Sequence, residues 1–159
     1  MKKNKLSVNY LLTFLLMLLL TGCGSRSIAH AQIEGTLAEL MVKIYDGSGV
    51  EAPFTETREL TAENAAYYLG TDAIVFTEGA ASEALITTVP HSIVLFRTDT
   101  DADIEAVKQT VKDSADPRKW ICVGVDESNV VVDNIGNLVI LIMDDNSAAY
   151  HKSFLKLAE

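Results

Sequence analysis

The chain has 159 residues, 48% of them hydrophobic, and a formal net charge of −9 at pH 7. This length is that of one ordinary domain, long enough to bury a hydrophobic core of its own. The excess of acidic residues repels phosphate backbones, so nucleic acid is excluded as an expected partner.

The first 22 residues are typical of a bacterial lipoprotein signal peptide. Three lysines within the first five residues precede the apolar run 11–20, and Thr21-Gly22-Cys23 follows it directly. The run is about half of the ~20 apolar residues that a membrane-spanning helix needs, which argues against a retained anchor. An ordinary secretory signal with an incidental cysteine is the other alternative. The small residues directly before Cys23 argue against it.

The match of Leu20-Thr21-Gly22-Cys23 to a lipobox implies transfer of a diacylglyceryl group to the Cys23 sulfur, then cleavage between Gly22 and Cys23. Two acyl chains are enough for stable anchoring, whereas one gives only marginal binding. Cleavage removes three of the 13 basic residues and none of the 22 acidic residues, so the mature net charge is −12. We therefore expect the lipid on Cys23, rather than a basic patch, to hold the domain at the outer face of the cytoplasmic membrane.

Three segments are predicted along the chain. They are a cleaved signal peptide over 1–22, a lipidated tether over 23–32 and a folded domain over 33–159. The domain is expected to be a single small α+β unit, with N-terminal, central and C-terminal helices packed on a mostly antiparallel sheet. Apolar residues at helical spacing from Ile33 to Ile44 predict its first helix, and the glycines of 46–49 end it.

The middle of the domain is predicted to hold a loop, a short helix and two strands. Residues 50–60, with an internal proline, read as the loop. Residues 61–69 read as a two-turn helix with Thr61 as its N-cap. The pattern of 73–88 predicts a weak strand, and that of 92–97 predicts a strong buried strand.

The last third of the domain is predicted in chain order as follows. It holds a helix over 99–115, a segment over 118–128 that is either strand or short helix, a hairpin over 130–143 with its turn at 134–137, and a helix that begins at Asn146 or Ser147. The inner face of the last helix is expected to be formed by Tyr150, Phe154 and Leu157.

The stretch from Leu60 to the end resembles a known family. Residues 60–72, Leu-Thr-Ala-Glu through Tyr-Tyr-Leu-Gly-Thr-Asp, are similar to a recurring LTxE…YYxGxD element, and the strand 92–96 and the stretch 129–145 follow in the family's order. Together they resemble the domain of unknown function 4358 family, lipoproteins of Gram-positive Firmicutes. The resemblance covers most of 35–158 and departs from the family's pattern at 117–128. It implies a location and a fold but no active site, because the family carries no established activity.

No metal site is predicted. Asp99-Thr100-Asp101-Ala102-Asp103 has the spacing that opens a calcium loop, but the sixth and twelfth positions are Ile104 and Thr110 instead of glycine and glutamate. We interpret these acidic residues as capping the helix that follows. The three histidines share no ligand spacing: His30, His91 and His151.

Four side chains are candidate ligand contacts: Tyr67, Tyr68, His91 and Trp120. In the alternative interpretation one tyrosine of the pair belongs to the core and His91 is a turn residue. Cys122, within an apolar stretch, is interpreted as a small buried hydrophobic residue rather than a nucleophile, because no histidine adjoins it. Gly47-Ser48-Gly49 is neither a nucleophile elbow nor a phosphate loop, so no cofactor is predicted.

These observations favour a non-enzymatic binding or interaction domain at the cell envelope, with an envelope protein as its expected partner. The alternatives are a small-ligand-binding protein, an accessory subunit of an envelope or transport complex, and an enzyme with a dispersed site. A contiguous exposed apolar patch would favour protein interaction. A cleft that gathers carboxylates or His91 would favour an enzyme.

Overall fold

The computed structural model describes residues 32–159, so the lipobox and all but the last residue of the predicted tether lie outside the described residues. The helices are α1 (Leu37–Ser48), α2 (Ala65–Leu69), α3 (Ile104–Ser114) and α4 (Ser147–Leu155), with short 3₁₀ turns at Glu127–Asn129 and Lys156–Ala158. The strands are β1 (Thr55–Glu59), β2 (Glu78–Ala84), β3 (Ser92–Arg97), β4 (Val130–Ile135) and β5 (Leu138–Met143). The predicted α+β class is confirmed.

The five strands form one sheet in the order β1-β2-β3-β5-β4, and every neighbouring pair is antiparallel. The two middle strands are in register from Ser92 opposite Met143 to Arg97 opposite Leu138. Nearly every side chain of β3 and β5 is buried, including those of neighbouring residues that point to opposite faces. The sheet therefore needs helices on both of its faces.

Each face of the sheet carries its own hydrophobic core. On one face α1 and α4 pack on the sheet, and the core includes Leu40, Ile44, Phe154, Ile93, Leu95 and Ile140. On the other face α2, α3 and the segment after α3 pack on it, and the core includes Leu69, Val111, Trp120, Val94, Phe96 and Leu141. The result is a three-layer arrangement of helices, sheet and helices.

The prediction of the first helix is confirmed, with a later start. Thr36 caps α1 and forms a capping box with Glu39: the Glu39 amide donates to the Thr36 hydroxyl, and the Thr36 amide donates to the Glu39 carboxylate. This box places Ile33 before the helix. Gly49 ends α1 in the left-handed conformation that the glycine-rich end predicted.

The prediction of a loop over 50–60 is wrong, because Thr55–Glu59 forms β1. Its sequence, Thr-Glu-Thr-Arg-Glu, has no apolar alternation, and four of its five residues are exposed. A strand at the edge of a sheet can lack the apolar pattern that identifies a half-buried strand. Because β1 is exposed, its sequence lacks the apolar alternation from which a strand is predicted.

The second predicted helix begins later than expected. Ala65 is the first residue of α2, and Asn64 rather than Thr61 precedes it. The Asn64 side-chain oxygen accepts a hydrogen bond from the Thr61 amide at 2.7 Å, which closes a turn before the helix. Similarly, α3 begins at Ile104, and the Asp103 carboxylate accepts from the Ala106 amide at its start.

The ambiguous segment 118–128 contains neither a strand nor an α-helix. Trp120 is buried but Cys122 is exposed, so the prediction of a buried cysteine is wrong. Cys122 has a φ of 62°, in the left-handed region, and the Val125 amide donates to the Pro117 carbonyl at 2.9 Å. Trp120 and Val125 are buried, whereas Ile121 and Cys122 between them are exposed, and a run of apolar residues in the sequence does not reveal this difference.

The predicted hairpin and last helix are confirmed. Ile135 pairs with Leu138 across a two-residue turn, and the first turn residue, Gly136, has a φ of 58°. Asn146 precedes α4 without a side-chain cap. Tyr150 and Phe154 are buried, as predicted, and Leu157 is partly buried against the same core.

Two glycines with positive φ allow a matched test of the packing between α2 and α3. A Cβ at Gly70 would overlap the Ser114 carbonyl at the end of α3, whereas one at Gly49 would have no atom within 4 Å. We expect Gly49→Ala to lower the free energy of unfolding by about 1 kcal/mol through backbone strain alone. Gly70→Ala should lower it by about 3 kcal/mol, because strain and overpacking add. Equal losses in urea denaturation would contradict this close approach.

Candidate functional site

Polar side chains gather at one end of the sheet because three strand ends meet there. Ser82 and Glu83 lie near the end of β2, where Glu83 is opposite Ser92, the first residue of β3, and His91 directly precedes that strand. Neighbouring residues of a strand point to opposite faces. The same strand ends therefore supply polar groups to both helical layers, and two separate clusters result.

The first cluster, here called the Tyr45 network, lies on the face covered by α1 and α4. The His91 Nδ1 lies 2.7 Å from the Asp144 Oδ2, and its Nε2 lies 2.8 Å from the Tyr45 hydroxyl oxygen. The Tyr45 hydroxyl is also 2.9 Å from the Ser82 Oγ. His91 has no exposed surface, so both of its ring nitrogens are satisfied within the fold.

Asp144 connects this network to the start of α4. Its Oδ1 accepts from the Asn146 amide at 2.6 Å, while its Oδ2 bonds to His91. The Tyr150 ring of α4 packs edge-on against both Tyr45 and His91, with centroids 5.7 and 5.6 Å away. The network therefore joins two helices and two strands through one buried imidazole.

The two tyrosines of this cluster stay protonated. Burial raises the pKa of Tyr45, and burial, with the Asp144 charge second, raises the pKa of Tyr150 to about 12. A phenol activated as a nucleophile or base needs the opposite shift. The raised pKa values of Tyr45 and Tyr150 are those expected of buried phenols that act as hydrogen-bond donors or packing groups.

The second cluster, here called the Lys119 cluster, lies on the face covered by α2 and α3. The Lys119 Nζ is 2.5 Å from the Glu83 Oε1 and 3.3 Å from the Ser92 Oγ. Three aromatic rings surround this ammonium group, with centroid distances of 4.7, 5.2 and 5.4 Å for Tyr67, Tyr68 and Trp120. Such rings attract a cation through their quadrupoles.

Burial controls the electrostatics of the Lys119 cluster. The Lys119 side chain is 6% exposed, and burial lowers its pKa while the Glu83 charge opposes that effect. Burial and the same carboxylate raise the pKa of Tyr67 to about 12, and its hydroxyl donates to the Glu83 Oε2 at 3.1 Å. The Glu83 Oε1 accepts no aligned hydrogen bond despite its closeness to Lys119. The attraction between the two opposite charges favours the charged form of Lys119.

The structure brings together three of the four ligand contacts predicted from sequence. Tyr67, Tyr68 and Trp120 meet around Lys119, whereas His91 lies on the opposite face of the sheet. The interpretation of His91 as a turn residue is wrong, because its side chain is fully buried and hydrogen-bonded.

Sequence reasoning missed Lys119, Glu83 and Tyr45 as partners of these groups. Tyr45 and His91 are 46 residues apart, and nothing in their local sequence connects them. One oxygen of Asp144 accepts from the Asn146 amide at the start of the last helix, a role that its position before that helix suggests. Its second oxygen has a separate role at His91. The place of Lys119 directly before Trp120 was the one local signal available.

An exposed apolar surface adjoins both clusters at this end of the sheet. It consists of Phe54, Leu85 and Ile86, which are 85%, 61% and 57% exposed, and is here called the apolar tip. The Leu85 amide donates to the Phe54 carbonyl at 2.9 Å, so the residues are neighbours across β1 and β2. Large apolar side chains clustered at a surface indicate an interaction site.

Two open clefts flank the apolar tip. One, of about 570 Å³, is lined by Glu51, Phe54, Val89, Pro90, Asp144 and Asn146 among others. The other, of about 480 Å³, is lined by Glu56, Arg58, Tyr67, Tyr68, Glu83 and Leu85 among others. Neither cleft is lined by His91 or Lys119, so the imidazole and the ammonium group at the centres of the two clusters lie behind the cleft walls.

Within residues 32–159, no three or more His, Cys, Asp or Glu side chains come together as a metal site requires. None of the helices in this part of the chain combines the length and apolar character needed to cross a bilayer.

A double-mutant cycle measures how strongly Lys119 and Glu83 depend on each other. We expect Lys119→Met and Glu83→Gln each to lower the free energy of unfolding by about 3 kcal/mol, since each leaves a buried charge without its partner. The double variant should lose about 2 kcal/mol less than the sum of the two.

The matched control is the pair Lys108–Glu105, 2.8 Å apart on α3, in which the Glu105 side chain is 81% exposed. Its coupling in the same cycle should stay below about 0.5 kcal/mol. Additive losses for Lys119 and Glu83 would show that the two charges do not compensate each other.

The side chains at this end of the sheet thus satisfy one another inside the fold, and the apolar tip and the clefts remain open. No family model, no curated protein and no solved structure matches this chain. Its function is therefore inferred from the surfaces and clusters described above.

Proposed function

We propose that this chain is a lipid-anchored extracytoplasmic protein whose folded domain binds an envelope protein without catalysing a reaction. The observation that carries the proposal is the apolar tip, where three large apolar side chains are more than half exposed at one end of the sheet. Burying such side chains against a partner is favourable by about 25 cal/mol per Å² of apolar surface.

The buried clusters support binding over catalysis. His91 has both ring nitrogens occupied, and Lys119 is neutralised by Glu83 within a cage of rings. A catalytic group must reach the proton or bond on which it acts. Both groups instead connect helices to strands behind the cleft walls, where they stabilise the surface around the tip.

Anchoring rests on the sequence. Leu20-Thr21-Gly22-Cys23 follows the apolar run directly, and the downstream stretches resemble the domain of unknown function 4358 family of lipoproteins. With a diacylglyceryl group on Cys23, the predicted tether over 23–32 keeps the domain close to the outer face of the cytoplasmic membrane.

The geometry of the domain supports presentation of the apolar tip away from the anchor. The Arg97 guanidinium, at the far end of β3 from the tip, donates to the Ile33 and Gly35 carbonyls at 2.7 and 3.1 Å. The described chain thus enters the domain at the end of the sheet opposite the tip. Because the apolar tip lies at the end of the sheet far from the anchor, it is placed to contact a protein partner rather than the lipid surface.

Small-ligand binding is the second candidate. The cleft of about 480 Å³ combines Tyr67, Tyr68 and the Glu83 carboxylate, which suits an amphipathic cationic ligand. The tip favours the first candidate, because its three side chains are more than half exposed at the rims of these open clefts.

Photo-crosslinking in intact cells tests the proposal. A photoreactive residue at Leu85 or Ile86 is expected to give a discrete protein adduct. The same residue at Val75, which is 77% exposed and precedes the far end of β2, serves as the matched control and should not. Equal adducts at Val75, or none at the tip, would contradict the proposed interface.

The anchor is tested in the same cells with Cys23→Ser. This variant should remain unprocessed or leave the membrane fraction, because it has no sulfur to accept the lipid. Its adducts at Leu85 should decrease accordingly if the partner resides at the membrane. Normal processing and anchoring of Cys23→Ser would refute the lipoprotein part of the proposal.

A further inference from the structure

The outer edge of β1 is unpaired within residues 32–159, since β1 is the first strand of the sheet and pairs only with β2. We propose that two copies of this chain pair through these edges, antiparallel, with Thr57 on the two-fold axis. The pairing would join the two five-stranded sheets into one continuous sheet. It goes beyond the proposed function, because it uses the outer edge of β1: of the apolar tip only Phe54 lies beside that edge, and Leu85 and Ile86 stay free.

The backbone of β1 is arranged for such pairing. The Leu60 amide donates to the Gly79 carbonyl and the Leu85 amide donates to the Phe54 carbonyl, both at 2.9 Å. The residues that bond to β2 therefore have even numbers. Because these directions alternate along a strand, the backbone groups of Thr55, Thr57 and Glu59 point outward.

The outward groups can form a symmetric ladder. In the proposed register the two Thr57 residues exchange a pair of N–H···O=C bonds across the axis, and Thr55 does the same with Glu59 of the second copy. The Glu59 carbonyl already accepts from the Asn64 side chain at 3.0 Å, and its second lone pair remains for the ladder.

The charges of β1 select this one register. With Thr57 on the axis, Glu56 lies opposite Arg58 of the second copy, and Arg58 lies opposite its Glu56. Moving the axis by one residue places Glu56 opposite Glu56, or Arg58 opposite Arg58. Opposite charges across strands stabilise a pair and like charges destabilise it.

The side chains needed for this exchange are accessible. Glu56 and Arg58 form an ion pair within their own strand at 2.6 Å, and their side chains are 49% and 63% exposed. Charged residues on an edge strand ordinarily discourage pairing with another chain. Here the order of Glu56 and Arg58 places like charges opposite each other when the axis passes through residue 56 or 58. It places opposite charges together when the axis passes through Thr57.

Phe54 supplies an apolar contribution at each end of the ladder. Its 85% exposed ring precedes β1, and the register places it opposite Leu60 of the second copy. Each chain carries a formal net charge of −9, which repels a second copy at long range. This repulsion is screened beyond about 8 Å at physiological ionic strength, whereas the Glu56–Arg58 contacts are much closer.

Charge reversal tests the register on the full chain in detergent micelles, with sedimentation analysis of self-association at physiological ionic strength. The parent chain is expected to show a monomer–dimer equilibrium. Glu56→Arg and Arg58→Glu should each weaken it about tenfold or more, because each creates two like-charge contacts. An equimolar mixture of the two variants should associate again, and so should the doubly exchanged variant E56R/R58E.

A second pair of variants tests the backbone ladder independently of charge. Thr57→Pro removes the outward N–H at the axis and should abolish pairing, whereas Thr57→Val keeps that N–H and should leave it unchanged. Circular dichroism and thermal unfolding confirm that each variant is folded.

A parent chain that stays monomeric over the accessible concentration range would overturn the proposal. So would unchanged association of Glu56→Arg or of Thr57→Pro. The variant Leu85→Ser separates this inference from the proposed function: it should lose the envelope adduct and keep the pairing.

Discussion

The burial of β3 and β5 on both faces is the constraint on which the rest of this structure depends. A strand covered on one side can place polar residues at alternate positions, but Ile93 to Phe96 and Val139 to Ile142 are buried on both sides. Helices must therefore cover each face, and polar groups are displaced to the ends of these strands. His91, Ser92 and Asp144 lie at such ends.

Polar groups displaced to the strand ends are still largely inside the protein and need partners there. Burying an ionisable side chain without a partner costs several kcal/mol. The Tyr45 network and the Lys119 cluster meet this requirement on opposite faces of the same strand ends. Each connects its helical layer to the sheet. Their histidine, lysine and carboxylate side chains therefore stabilise the packing of helices on strands. The apolar tip, its two clefts and the outer edge of β1 remain at the surface, and these are the places where we propose that recognition occurs.

The sequence was most informative where burial follows a local pattern. The uninterrupted apolar runs of β3 and β5, the glycine of the hairpin turn and the apolar stripe of α4 each predict an element, and the structure contains all of them. The strand β1 was missed because an exposed edge strand carries no apolar period. The segment 118–128 could not be assigned because its burial is set by distant groups: Lys119 is held by Glu83, 36 positions earlier in the sequence.

The candidate site was predictable only in part, for the same reason. The aromatic residues Tyr67, Tyr68 and Trp120 stand out by type, and the structure brings them together around one ammonium group, with Tyr68 and Trp120 buried. The charge at their centre comes from Lys119, whose role depends on tertiary packing. His91 is equally conspicuous in the sequence, but its side chain turns to the other face because strand parity places it there.

The central claim is that the buried polar groups at the sheet end hold the fold together. Two His–Asp pairs in the described part of the chain, residues 32–159, test it directly. His91–Asp144, at 2.7 Å, is buried, and His151–Asp133, at 2.6 Å, is about one-third exposed. The measurement is the free energy of unfolding of Asp144→Asn compared with that of Asp133→Asn. The account predicts a loss at Asp144 that is about 2 kcal/mol larger than the loss at Asp133. Equal stabilities of Asp144→Asn and the parent chain would contradict it.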